Sequence, residues 1–173
     1  MLALNAQGTY FSVYVGRLGG GSLAQGLGWG LPAVLEAPFF LWANRIEGRL
    51  GIRRTLALAF ACEVAALGVI ALARGPALAV AGMTLQGPAF ALFYGAAVPA
   101  VDRLVPVGWR ASGQALLWAS CYGVGSVAAN LGGSLGAARL GLPGLYRVLA
   151  LFALCAAALF ALLARRAVPE DRP

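Results

Sequence analysis

The sequence predicts an all-α integral membrane protein with six transmembrane helices, and three observations carry that prediction. Of 173 residues, 61% are apolar and 11% charged, with a mean hydropathy of +0.81; about a quarter of the residues of a soluble domain are charged. The apolar residues gather in runs long enough to cross a hydrocarbon core, which takes about 20 residues of helix. The charges fall between those runs. All thirteen cations are arginine, standing singly or in short turns. A membrane protein distributes topology signals in this way, whereas a phosphate-binding face concentrates them.

Cutting the chain mainly at its arginines gives the elements in order. The first span, residues 1–15, is short and ends at Gly16-Arg17 before a glycine cluster. The second, 22–44, is apolar except for Glu36, and the third, 55–73, carries Glu63 as its one charge. The fourth, 76–101, and the fifth, 111–138, are uncharged. The sixth, 145–164, has Arg147 at its mouth and stops at Arg165 and Arg166. Residues 1–166 thus form one transmembrane domain, and the polar, proline-bounded tail 167–173 reads as disordered and cytoplasmic. Pro32 and Pro88 are expected to kink their spans. Gly26 with Gly30, and Gly132 with Gly136, stand at the four-residue spacing that lets helices approach closely.

Six spans put both termini on one side. Arg45, Arg49, Arg53, Arg54, Arg103, Arg110, Arg165, Arg166 and Arg172 fall on that side, and Arg17, Arg74, Arg139 and Arg147 on the other. The excess of arginine marks the side with the termini as cytoplasmic, in a multi-pass protein of the plasma (inner) membrane.

Several chemistries are excluded at once. The chain has no His, which removes His-based triads and His metal ligands. Cys62, Cys121 and Cys155 lie far apart inside apolar runs, without metal-ligand spacing, and read as small packing residues. No metal or cofactor is expected, and the chain does not read as an enzyme. Gly123-Val-Gly125-Ser-Val-Ala128 matches a dinucleotide-binding pattern but sits inside an uncharged apolar run with no strand before it.

The residue that points to function is Glu36. It precedes Arg45 by nine residues, roughly 14 Å at 1.5 Å per residue, which is close to the midplane of a core about 30 Å thick. A carboxylate there faces a cavity, pairs with a cation or is protonated, and one that exchanges protons can couple transport to an ion gradient. Glu63 lies at a similar depth among Ala61, Cys62, Val64 and Ala65, and packing and function weigh equally for it. Polar and aromatic stripes recur at helical spacing on three spans: Gln7, Tyr10 and Tyr14; Gln86 with Tyr94; and Gln114, Trp118 and Tyr122, with Asn130 further along. Amides at mid-span seek partners that hydrocarbon does not offer. These residues are the candidates for lining a cavity suited to a small amphipathic or aromatic solute.

The segment from Ala6 to Arg45, followed by Arg49-Leu-Gly51-Ile-Arg53-Arg54, resembles the second half of major facilitator superfamily transporters. Glu36-Ala-Pro38-Phe39-Phe40 resembles an eighth-helix pattern of the branch holding phenylpropionate and nucleoside–proton symporters. Asp102-Arg103-Leu-Val-Pro106 and Arg110-Ala-Ser112-Gly113-Gln114 resemble that branch between its tenth and eleventh helices. The resemblance implies half of a major facilitator bundle, two inverted three-helix repeats working by alternating access around a midplane site. It implies Glu36 as the proton or substrate carboxylate. It also implies a cytoplasmic gate of Arg49, Arg53 and Arg54 latching against the region of Asp102 and Arg110. Family members have twelve helices, so the expected function is proton-coupled symport of a small organic solute by a C-terminal half. The implied partners are H⁺, the solute, the bilayer, and either a missing N-terminal half or a second copy; nucleic acid is not among them. Two alternatives stand beside this reading: a half-size transporter acting as a homodimer, and a non-transporting membrane scaffold or assembly protein.

Overall fold

The computed structural model describes residues 1–167, with side chains through Leu163; the greater part of the expected tail, 168–173, lies outside the described residues. Among those residues all regular structure is helical. In order these are α1 (Leu2–Arg17), α2 (Ser22–Ala71), α3 (Pro76–Thr84), α4 (Gln86–Leu104), a single 3₁₀ turn (Val107–Trp109), α5 (Arg110–Trp118), a π-helical turn (Ala119–Val124) and α6 (Gly125–Ala167).

Continuous helix runs through positions where the sequence predicts loops. Three stretches are long and apolar enough to span a bilayer: Ser22–Ala71, Pro76–Leu104 and Val107–Leu163. The first and third are each interrupted at one glycine. Gly51 takes φ 77°, ψ 160° inside α2, and Gly141 takes φ 69°, ψ 172° inside α6. Both are left-handed values that residues with a Cβ disfavour, so each helix breaks there into two arms, 22–50 with 52–71 and 125–140 with 142–167. The Gly51 carbonyl freed by the break accepts the hydroxyl of buried Thr55 at 2.9 Å. Separate loops 45–54 and 139–144 are therefore corrected to single-residue breaks. The expected kink at Pro88 appears as the interruption at Leu85 between α3 and α4. Proline has no N–H to give to the carbonyl four residues back, that of Thr84.

Contacts at the helix ends sort the chain into two ends of a bundle. A side chain on Gly20 would meet Pro76 at 2.9 Å, and Tyr14 stacks on Tyr146 with ring centroids 4.8 Å apart. The ends near 18, 76 and 142 therefore gather together. At the other end Arg103 bonds Glu47, and a Cβ on Gly113 would lie 2.9 Å from the Val101 side chain. The cluster Arg45, Arg49, Arg53 and Arg54 belongs to this second end.

Two seams organise the packing. One is a core of α1, the arm 52–71, α3 and the arm 142–167, built from Phe11, Tyr14, Leu67, Ile70, Met83, Leu145, Tyr146 and Leu149. The other joins α2 to α4 through small residues. A Cβ on Gly87 would lie 2.2 Å from the Pro32 carbonyl oxygen, and one on Gly95 would lie 2.4 Å from the Ala43 side chain. With fully buried Ala91 between them, Gly87 and Gly95 form a row at i, i+4 and i+8 that brings the backbones into contact. Gly26, Gly30 and Gly132, expected at helix contacts, face outward instead: a Cβ added at any of them would meet nothing within 4 Å. Leu23, Leu27, Leu131 and Leu135 are exposed beside them, an apolar surface that only lipid or another helix covers favourably.

Candidate functional site

Between α2, α4 and α5 the packing opens into a cavity of about 370 Å³, within the size range of small-molecule sites. Its wall from α2 is Phe40, Ala43 and Asn44; α4 gives Phe90, Tyr94, Gly95, Val98 and Pro99; α5 gives Trp118. The positions follow from helical spacing. Phe40 and Asn44 are one turn apart, as are Phe90 and Tyr94, and Tyr94 and Val98, so each helix turns one face inward. The close Ala43–Gly95 approach forms the floor where the two helices touch.

Aromatic rings dominate the site. Tyr94 stacks on Trp118 at 4.7 Å with planes 13° apart, and Trp118 on Tyr122 at 5.2 Å and 15°. Phe90 and Phe93 lie against Tyr94 at 4.7 and 5.2 Å, and Phe40 meets Phe90 edge-on at 6.1 Å. Such offset and edge contacts add to the apolar burial of the rings. The π-helical turn follows Trp118 and holds Tyr122. It widens the helix and frees carbonyls, which are met by Ser126, whose hydroxyl donates to Tyr122 and Gly123, and by Asn5, whose amide donates to the Cys121 carbonyl at 2.9 Å. The Tyr94 hydroxyl is buried beside Tyr122 and Cys121 and makes no well-formed hydrogen bond among the described residues.

Polar groups border the cavity at two levels. Glu36 is half-buried on α2, one turn before the wall residue Phe40. Towards the arginine-rich end, Gln114 donates to the Val98 carbonyl at 3.0 Å and to Asp102 Oδ1 at 2.9 Å. Beyond it Arg103 donates to Glu47 Oε1 at 3.0 Å, tying α4 to α2.

The candidates from the sequence divide into two groups. Tyr94, Trp118 and Tyr122 come together in the ring stack, with Glu36 and Gln114 on its borders. Gln7, Tyr10, Tyr14 and Asn130 lie elsewhere, at the contact of α1 with α6 and the core. Gln7 is fully buried and donates to Met83 Sδ at 3.0 Å. Tyr14 donates to the carbonyls of Ile70 and Ala73, at 3.4 and 3.3 Å. Tyr10 donates to the Asn130 carbonyl at 3.3 Å, and Thr9 to the Asn130 side chain at 3.1 Å. Gln86 is half-buried at the start of α4, two turns from Tyr94 and off the cavity wall.

Among the described residues no ion pair joins Asp102 to the arginines expected at a gate. Asp102 is held by Gln114, and among the described residues the ion pair of this end is Arg103 with Glu47. Arg49, Arg54 and Arg110 are exposed and Arg53 half-buried around it. Glu63 lies off the cavity wall, on the arm 52–71, with both carboxylate oxygens buried and unpartnered. Sequence reasoning did not single out Asn44, Phe40 or the Glu47–Arg103 pair as site residues. Phe40 and Asn44 at i+4 and i+8 from Glu36 were the available signal.

Comparison with known proteins finds one relationship. The sequence profile of the MFS_1 like family matches residues 2–140, ending one residue before the Gly141 break. No curated protein and no solved structure matches the chain. An all-helical apolar chain, covered over most of its length by that family, is a multi-pass membrane protein, and it belongs to the MFS_1 like family within the major facilitator superfamily.

Proposed function

We propose that the chain is the C-terminal half of a secondary carrier that moves a small organic solute together with H⁺ by alternating access. The observation that carries this reading is Glu36, a half-buried carboxylate within an apolar arm, one helical turn from Phe40 on the wall of the aromatic cavity. A carboxylate held in a membrane core is costly unless it exchanges protons or faces a polar path. Its place beside a solute-sized cavity supports coupling over a purely structural acid.

On this reading the chain crosses the membrane six times, with Gly51 and Gly141 as turning points, and the arginine-rich end faces the cytoplasm of an inner membrane. The Glu47–Arg103 pair, with Arg49, Arg53, Arg54, Asp102 and Arg110 around it, is the cytoplasmic gate. Alternating access needs a second bundle, either an N-terminal half or a second copy. The outward glycines Gly26, Gly30 and Gly132 offer it a surface for close helix contact.

The test is proton movement. Membrane vesicles holding the assembled protein and a pH-sensitive dye are challenged with inward gradients of a panel of neutral and charged aromatic solutes. At least one solute should acidify the lumen, and Glu36→Gln should abolish that signal. Equal acidification by Glu36→Gln, at equal protein in the membrane, overturns the coupling role.

A further inference from the structure

We propose that the cavity between α2, α4 and α5 selects an uncharged solute with a flat aromatic ring, whose polar substituent bonds the Tyr94 hydroxyl and the Asn44 amide. The assignment deepens the transport reading above and rests on it for Glu36 alone.

The first part of the fit is shape. Tyr94, Trp118 and Tyr122 present nearly parallel rings, within 15° of one another, and Trp118 is 45% exposed at the end of the cavity wall. A planar ring entering the cavity continues that stack and gains offset-stacking contacts that a puckered ring of the same volume does not. Phe40 and Phe90, in edge-to-face contact with each other, supply another part of the wall.

The second part is the unmet hydroxyl. Tyr94 is 4% exposed and its hydroxyl makes no well-formed hydrogen bond among the described residues. Buried polar groups are almost always paired, because an unpaired one forgoes its bonds to water. Tyr14 and Tyr146, buried to a similar degree, both donate to carbonyls. Tyr94 is thus a buried donor and acceptor on the cavity wall, beside the side chains of Tyr122 and Cys121. Asn44, at the cavity mouth, supplies the complementary amide.

The third part is charge. Among the described residues no ionisable acid or base lines the cavity. At its arginine-rich end Arg103 pairs with Glu47 and Asp102 accepts from Gln114. A carboxylate or ammonium drawn inside gives up water without gaining a counter-ion on the wall. Glu36 lies one turn away, but an organic cation resting on it competes with the coupling proton for the same oxygens. A neutral solute leaves Glu36 free to carry that proton.

Four matched probes separate these parts: benzamide (flat, neutral), benzoate (flat, anionic), benzylammonium (flat, cationic) and cyclohexanecarboxamide (neutral, not flat). Their binding to the purified full chain in detergent is measured by calorimetry and by quenching of tryptophan emission. Benzamide should bind at least about tenfold more tightly than each of the other three, the size expected when a stacking contact or an unpaired charge separates two ligands. Trp118→Ala, at a partly exposed position outside the core, should weaken benzamide roughly three- to tenfold. Trp118→Phe should retain binding and lose most of the quenching. Val98→Phe, which fills the cavity, should abolish binding while leaving helix content and elution unchanged. Proton coupling is read by acidification of vesicles and solute selection by binding in detergent, so either can fail while the other stands. Equal binding of benzamide and cyclohexanecarboxamide overturns the assignment, as does tighter binding of benzoate, or of benzylammonium in a manner lost in Glu36→Gln. Absence of binding by all four probes also overturns it.

Discussion

The seam around Tyr14 and Tyr146 and the cavity around Tyr94 and Trp118 are built from the same residue types and end in opposite states. In the first, two tyrosines stack 4.8 Å apart, and each hydroxyl donates to a backbone carbonyl, Tyr146 to Gln7 at 3.0 Å. Gln7 itself donates to Met83. Both tyrosine rings are almost wholly buried. In the second, the rings stack just as closely, but one hydroxyl is unmet, Trp118 and Tyr122 are partly exposed, and about 370 Å³ stays open. The lesson is that an aromatic and amide stripe on a membrane helix carries no role of its own. Its role depends on whether the neighbouring helices supply carbonyls and methyl groups, or leave room.

The largest expected break of this comparison lies at the seam that the cavity depends on. Gly87→Leu forces side-chain atoms into the Pro32 carbonyl, and backbone cannot yield as a flexible side chain does. Overpacking of this kind costs about 1–3 kcal/mol or more. The variant should melt well below the parent in detergent and lose benzamide binding together with it. Next comes the closed seam. Leu67→Ala removes a fully buried side chain of the core and should cost about 2–5 kcal/mol, while benzamide affinity in the fraction still folded stays unchanged. The smallest effect lies at the arginine-rich end. Arg103 is 54% exposed, so its pair with Glu47 should contribute no more than about 1 kcal/mol. A double-mutant cycle of Arg103→Ala and Glu47→Ala, read by thermal melting, should give a coupling below that value and smaller still at high salt.

Much of the fold was legible because a bilayer imposes its demands on composition. Apolar runs and arginine turns marked the helical segments and grouped Arg45, Arg49, Arg53 and Arg54 at one end. The turning points were not. Arginine marks where hydrocarbon gives way to water, whereas the backbone turns where a residue can leave the helix. The arm 22–50 therefore continues past Asn44 through Arg45 and Arg49, and breaks only at Gly51. The glycine contacts were misplaced for a related reason. Four-residue spacing says which glycines share a face but not what that face meets, and Gly26 and Gly30 point outward while Gly87 and Gly95 carry the α2–α4 seam.

The site was legible in part by the same logic. Helical spacing put Trp118 beside Tyr122 correctly. It could not separate Tyr14, whose partners are carbonyls 56 and 59 residues away, from Tyr94, which has none. The Glu47–Arg103 pair joins residues 56 apart, a distance at which sequence pattern alone has no purchase.

The most direct test of the division between the closed seam and the open site is a matched pair of single-atom deletions, Tyr146→Phe and Tyr94→Phe. Each is read by thermal melting and by benzamide binding. Tyr146→Phe removes a satisfied buried hydrogen bond and should lower stability by about 1 kcal/mol, with affinity unchanged. Tyr94→Phe removes a hydroxyl that makes no well-formed hydrogen bond among the described residues. It should leave the melting temperature unchanged or slightly raised and weaken benzamide severalfold. If Tyr94→Phe instead lowers the melting temperature as much as Tyr146→Phe and leaves binding untouched, both regions are packing and the aromatic cavity is not a binding site.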